Sequence, residues 1–194
     1  MKRIFLFVVP MLFAAMVFGQ QPSDVMGQPG PLRFNDQAFG LVTSNSPSQG
    51  YFLQEYLPAG DTLEHYHSLL SLHLFATELT AEEASRQKLA ELDEYKNTDP
   101  LCNFQELKSP DGKEFVVDFI KSTRGGGPIT MVELNVYRYV RVPVGKGREG
   151  LLVYAYSERA YGFDVKPFMD EIQPRRERLL RGITTVKLPN INVK

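Results

Sequence analysis

The chain has 194 residues, with 22 basic and 23 acidic side chains, a net charge of −1 and a single cysteine. That near-neutral balance offers no electrostatic footprint for DNA or RNA, and one cysteine excludes an intramolecular disulfide. The length suffices for one domain whose core needs no covalent staple.

Lys2 and Arg3 precede an apolar run from Ile4 to Val17, and Val17-Phe18-Gly19 suits a signal-peptidase site. Residues 1–19 are therefore expected to be an export signal, removed from a periplasmic or secreted protein that keeps no transmembrane segment. The run falls short of the roughly 20 apolar residues that a membrane span needs; an uncleaved N-terminal anchor is the alternative. Residues 20–37, rich in Gln, Pro and Gly and without period, read as a flexible leader. The folded domain is expected over residues 38–190.

Within it, "AFGLVTS" and "YFLQEYL" are strand-like runs separated by the turn formers "NSPSQG". Asp61 followed by Glu64 forms a capping-box pattern, and Leu63, Tyr66, Leu69 and Leu70 share a helical stripe, which predicts a short helix from Thr62 to Leu69. From Leu70 the period changes to two, predicting a strand through Phe75. Thr80 and Glu83 make a second capping box, opening a helix with Ala81, Ala84, Leu92 and Tyr95 inward, and Asp99-Pro100 stops it. Four strands are expected near Cys102–Lys108, Glu114–Ser122, Ile129–Val142 and Gly150–Glu158, joined by short turns that dictate antiparallel neighbours. A last helix, capped by Asp164 and built on Phe168, Ile172 and Leu179, is kinked or restarted by Pro174 and ended by Gly182.

The expected fold is α+β: a mostly antiparallel sheet of about six to seven strands packed with helices as an α-β-α sandwich. The element order resembles the PsbP-like fold of photosystem extrinsic proteins, a Ran-binding release factor and the exported bacterial DcrB-like proteins. The resemblance spans about residues 39–182 and is carried by "YFLQEYLPAGDTLEHYHSLLSLHLF", with its Pro-x-Gly turn and central Tyr66, and by the closing "DVKPFMDEI". It implies an assembly or binding role without catalysis.

Few residues suggest chemistry. On a helix, His65 and His67 lie about 200° apart, so one ion cannot bridge them, whereas zinc-binding helices use i and i+4. On a strand they would share a face, which makes them the runner-up metal pair; the spacing favours ordinary structure, with no metal and no cofactor. Cys102 lacks a nucleophile setting and reads as a small buried apolar residue. No Gly-x-Ser-x-Gly elbow occurs, and "RGGGP" and "VGKGREG" lack the helix or Walker spacing that would hold phosphate. Two surfaces remain as candidate binding sites. One is a tyrosine-rich sheet face of Tyr137 and Tyr139, continued by Tyr154 and Tyr156 if the register allows. The other is the arginine run Arg175, Arg176, Arg178 and Arg181 in "PRRERLLRG", which reads as a solvated helical face or, alternatively, as a surface for an acidic partner or anionic headgroups. The expected function is an exported binding or assembly module for a protein or another envelope component. An exported hydrolase with a His/carboxylate site, or an immunity or inhibitor protein, is the alternative.

Overall fold

A computed structural model describes residues 22–145 and 147–193; the expected export signal lies outside them. Eight strands form one sheet: β1 (Leu32–Phe34), β2 (Gln37–Ser48), β3 (Tyr51–Leu57), β4 (Ser68–Phe75), β5 (Asn103–Lys108), β6 (Phe115–Arg124), β7 (Ile129–Gly145) and β8 (Arg148–Tyr161). Their order across the sheet is β1-β2-β3-β4-β8-β7-β6-β5. Helix α1 (Ala81–Tyr95) carries the chain from β4 to the far edge, and the last four strands return as hairpins until β8 pairs antiparallel with β4. After a 3₁₀ turn at Gly162–Asp164 come α2 (Val165–Asp170) and α3 (Ile172–Thr185).

The alternation along β7 divides the core. Val132, Leu134, Val136, Val140 and Val142 face a cluster with Leu70, Leu72 and Leu74 of β4 and with Leu179 and Ile183 of α3. The opposite face joins Phe115, Val117, Phe119, Tyr139 and Val153 to Ala81, Ala84 and Leu92 of α1. The predicted capping box is formed: Thr80 Oγ1 accepts from Glu83 N at 3.1 Å, and Glu83 Oε2 accepts from Thr80 N at 2.9 Å.

The expected α-β-α sandwich of six to seven strands is corrected to an eight-stranded antiparallel half-barrel in which strands outweigh helices. Irregularities in register at Leu41/Thr43, Asn45/Ser48, Thr123/Arg124 and Pro143/Gly145 accompany the curl, because a bulge bends its strand and increases its twist. Each helix covers only part of its face, so the sheet is not a flat middle layer.

Three local expectations change as well. Residues 58–67 form a loop in place of the helix from Thr62 to Leu69. Asp61 acts as a clamp: Oδ2 accepts from His67 N at 2.7 Å and Ser68 N at 3.4 Å, an alternative to helical bonding that Asp side chains offer. It delivers the chain into β4 at Ser68, two residues earlier than the periodicity suggested.

The final helix restarts, one of the two outcomes expected of Pro174, though the break falls at Glu171 (φ −101°, ψ 12°) and divides it into two helices. Pro174 falls in the first turn of α3, where its missing N–H costs no hydrogen bond. Gly182 does not end α3 but lies inside it, because a Cβ there would run into Asn35 and approach Phe34 Cζ to 3.0 Å. The helix closes on Arg138, whose Nη1 donates to Ile183 O at 2.9 Å and Val186 O at 3.0 Å.

Finally, residues 22–37 are not a flexible leader. Met26 is fully buried and Phe34 nearly so, both in the α3-side core. Asp24 Oδ1 accepts from Gln28 N and Gln54 Nε2, each at 2.8 Å, and Tyr56 donates its hydroxyl to Gln28 O at 2.7 Å. The C-terminal tail lies alongside, with Asn192 N donating to Met26 O at 2.9 Å. Asn35 and Asp36, at φ 46° and 65°, make the tight turn that pairs β1 with β2, the two-residue left-handed geometry that Asn and Asp tolerate.

Candidate functional site

The register of β7 and β8 decides the tyrosine surface. Tyr137 pairs with Ala155 and Tyr139 with Val153, while Tyr154 and Tyr156 oppose Arg138 and Val136. Opposed residues in a sheet share a face, so the four tyrosines split two and two. Tyr154 and Tyr156 are buried on the α3 side, where the Tyr156 ring meets Phe34 at 4.4 Å between centroids. Tyr137 and Tyr139 lie on the α1 side.

The arginine run is consumed by ion pairs. Arg176 is buried against Asp118, which is wholly enclosed. Arg175 reaches Glu158 at 3.3 Å and Glu171 at 3.0 Å; Arg178 also meets Glu158 at 3.0 Å, and Arg181 lies 3.7 Å from Glu177. Arg175, Arg176 and Arg178 secure α3 to the sheet, Arg181 pairs within the helix, and the four present no cluster of unpaired cations.

The histidines divide as well. His65 stacks on Tyr161 at 4.2 Å, with His67 edge-on to His65 at 5.6 Å. Within the loop the two rings come together, and among the described residues the one carboxylate paired with them is Asp61, 3.5 Å from His67 Nδ1. Among the described residues no group of three His, Cys, Asp or Glu side chains is placed to hold a metal. Cys102 is buried, its Sγ 3.7 Å from Leu92 O, and burial pushes its thiol pKa up.

His73 is elsewhere, in a cleft of about 670 Å³ between α1 and the sheet. The cleft joins Tyr51 of β3, His73 and Phe75 of β4, Tyr137 and Tyr139 of β7, and Gln87, Lys88 and Glu91 of α1. Tyr51 and Phe75 stack in parallel at 4.6 Å, their β3 and β4 positions being directly opposed. His73 is engaged at both ring nitrogens: Nδ1 to Tyr51 Oη at 2.9 Å and Nε2 to Ser71 Oγ at 3.0 Å. Lys88 Nζ stands 5.7 Å from the centres of the Tyr137 and Phe119 rings and donates to Glu91 at 2.6 Å.

The hydroxyls of Tyr137 and Tyr139 have no hydrogen-bond partner among the described residues, although Tyr139 is only 4% exposed. Neither oxygen is sealed away, since among the described residues the one wholly enclosed polar side-chain atom without a partner is Nε of Arg175. Both belong to residues that line the cleft. Burial raises the pKa of each well above the ordinary tyrosine value, so both are neutral hydroxyls able to donate.

Next to the cleft, the same face of the sheet carries a fully satisfied polar chain. Tyr66 donates to Glu133 at 2.9 Å, Asn135 donates to Glu133 at 3.0 Å, Ser157 donates to Asn135 at 2.6 Å, and Arg159 pairs with Glu133 while covering the Tyr66 ring at 3.9 Å. Such a network specifies one arrangement of the strands and leaves little free hydrogen-bonding capacity. The contrast marks the tyrosine hydroxyls as the unusual polar groups of this face.

Burial, with Lys88 adding its charge, pulls the pKa of His73 from 6.5 down to about 4. Between those pH values the unfolded chain binds a proton that the folded chain refuses, so stability falls as the pH is lowered through this window. Denaturation midpoints measured from pH 7 to pH 4 are expected to drop more steeply for the wild type than for His73→Gln. Equal slopes would assign the acid sensitivity to other groups.

The sequence singled out Tyr137 and Tyr139 but missed Tyr51, His73 and Lys88 as their neighbours. The alternation in "SLLSLHLF" does put His73 on the polar side of its strand. What it lacks is any sign that β3 and β4 lie across β8 from β7. Comparisons with curated proteins and with solved structures find no match. The model of an uncharacterised protein family matches residues 26–188, the stretch from the buried Met26 past the end of α3, and the chain belongs to that family.

Proposed function

We propose that this protein is an exported, non-catalytic binding module of the cell envelope, and that it takes its ligand in the cleft between α1 and the sheet. The observation that carries this reading is the pair of unpartnered hydroxyls, Tyr137 and Tyr139, on residues lining a cleft of mixed aromatic, apolar and polar walls. Its volume of about 670 Å³ lies within the range of small-ligand sites, and aromatic rings with polar tips suit such sites. Export rests on the charged and apolar N-terminal pattern of residues 1–19.

A hydrolase would need a base oriented by a carboxylate and facing a pocket. His73 in the cleft is held by Tyr51 and Ser71 instead. His67 has a carboxylate neighbour, but Asp61 already serves two backbone N–H groups with its other oxygen.

Gln87 is exposed at the mouth of the cleft, where a larger side chain blocks entry without disturbing the core. Native mass spectrometry of the protein captured from an envelope fraction is expected to show a bound adduct that Gln87→Trp loses by about tenfold or more in occupancy. Equal occupancy in both proteins, or turnover in a panel of ester, peptide and glycoside substrates, would overturn the reading.

A further inference from the structure

The cleft has a chemical preference of its own. Three of its sheltered polar groups have donors to spare. Tyr137 and Tyr139 each hold an unspent hydroxyl, and Lys88 uses one of its three N–H donors on Glu91. The one carboxylate in the lining, Glu91, is already neutralised twice over: Oε2 accepts from Lys88 at 2.6 Å and Oε1 from Lys121 at 3.2 Å. Two ammonium groups share one carboxylate, which leaves the trio with one positive charge, while, after burial, Glu133 and Glu91 act on Tyr137, and Glu91 and Glu106 on Tyr139, to hold the hydroxyl protons in place.

Phe75, Leu79, Ala84 and Val153 with the Tyr51 ring form the apolar part of the wall, beside the polar Ser48, Gln49, Thr77 and Gln87. Lys88 is mostly sheltered, its side chain 21% exposed, so its charge is screened less than one in open water. The depressed pKa of His73 agrees with a positive field from Lys88 reaching the cleft floor.

Resting on the reading of the cleft as the binding site, we propose that it selects small organic carboxylates with an aromatic or branched apolar body. The carboxylate accepts from the Tyr137 and Tyr139 hydroxyls and pairs with the Lys88 ammonium. The apolar body lies against Phe75, Leu79 and Val153. Charge-assisted hydrogen bonds in a sheltered site are the strong ones, so the negative charge and not the apolar body alone sets the selectivity.

Three probes of one shape and different charge test this: 1-naphthoate, neutral 1-naphthamide and cationic 1-naphthylmethylamine, each titrated calorimetrically into the full chain. Naphthoate is expected to bind about tenfold or more tightly than naphthamide, with the amine weakest. Lys88→Gln is expected to erase the preference for naphthoate over naphthamide. Tyr139→Phe, which removes only an unpartnered oxygen, is expected to weaken naphthoate severalfold while leaving the thermal midpoint unchanged. Equal affinity for naphthoate and naphthamide would overturn the selectivity but leave the cleft as a binding site. Binding of none of the three would also overturn it, and the Gln87→Trp comparison then decides the cleft reading on its own.

Discussion

Replacing Asp118 with alanine is expected to destabilise the fold by about 3–5 kcal/mol, the cost of leaving a partner charge buried alone. Asp118 lies on β6 opposite Val136, on the face that α3 covers. It is wholly enclosed, and its Oδ1 accepts from both Nε and Nη2 of Arg176. Gln105 donates to its other oxygen, and Arg176 Nη1 reaches Asn103 Oδ1 at 2.8 Å. Removing the carboxylate strands a guanidinium that is only 7% exposed. The readout is the urea midpoint at constant slope. The double replacement Asp118→Leu with Arg176→Met is expected to recover most of the loss, because an apolar pair of similar volume often equals a buried ion pair. A single-variant effect below about 1 kcal/mol would place the pair in contact with water.

Met26→Ala is the second large effect, at about 2–5 kcal/mol, as for other Met-to-Ala truncations in a packed core. Met26 is fully buried, and its backbone carbonyl is tied to Asn192 of the C-terminal tail. The loss therefore combines an emptied core site with a loosened contact between the two ends of the domain. Ser23→Ala, three residues earlier and exposed, is expected to stay within about 0.5 kcal/mol of the wild type. A flexible leader would make the two variants alike. Calorimetric melting of both proteins separates the two cases.

Both predictions come from places where the sequence pointed elsewhere. The arginine run looked like a solvated or partner-facing surface, because a helix with four arginines has no local reason to bury one. Arg176 is buried because Asp118, 58 positions away in sequence, lies beneath it. The leader looked disordered because its composition is that of linkers, and a single methionine among Gln, Pro and Gly carries no periodic signal. Its order comes from the half-barrel, whose α3-side face has room for Met26 next to Phe34, Phe39 and Tyr56.

Local chemistry, by contrast, was legible. The Thr80–Glu83 capping box starts α1 as read, and the alternating apolar residues from Val132 to Val142 lie on one face as read. The antiparallel hairpins from β5 to β8 follow from turns too short for any crossover. The segment "LEHYHSLLSLH" marks where local information ends. Its helical stripe is real, but the Asp61 clamp and the ladder from β4 to β8, starting with Ser68 opposite Glu158, outweigh about two turns of helix. By itself the sequence determined which residues alternate, where α1 begins and which strands are hairpin partners, since each depends on neighbours within a few positions. Only the tertiary structure decided which tyrosines share a face, which arginine is buried and that His73 meets Tyr51 beside Lys88. Those outcomes depend on pairing register and on contacts between distant segments, which no local pattern encodes.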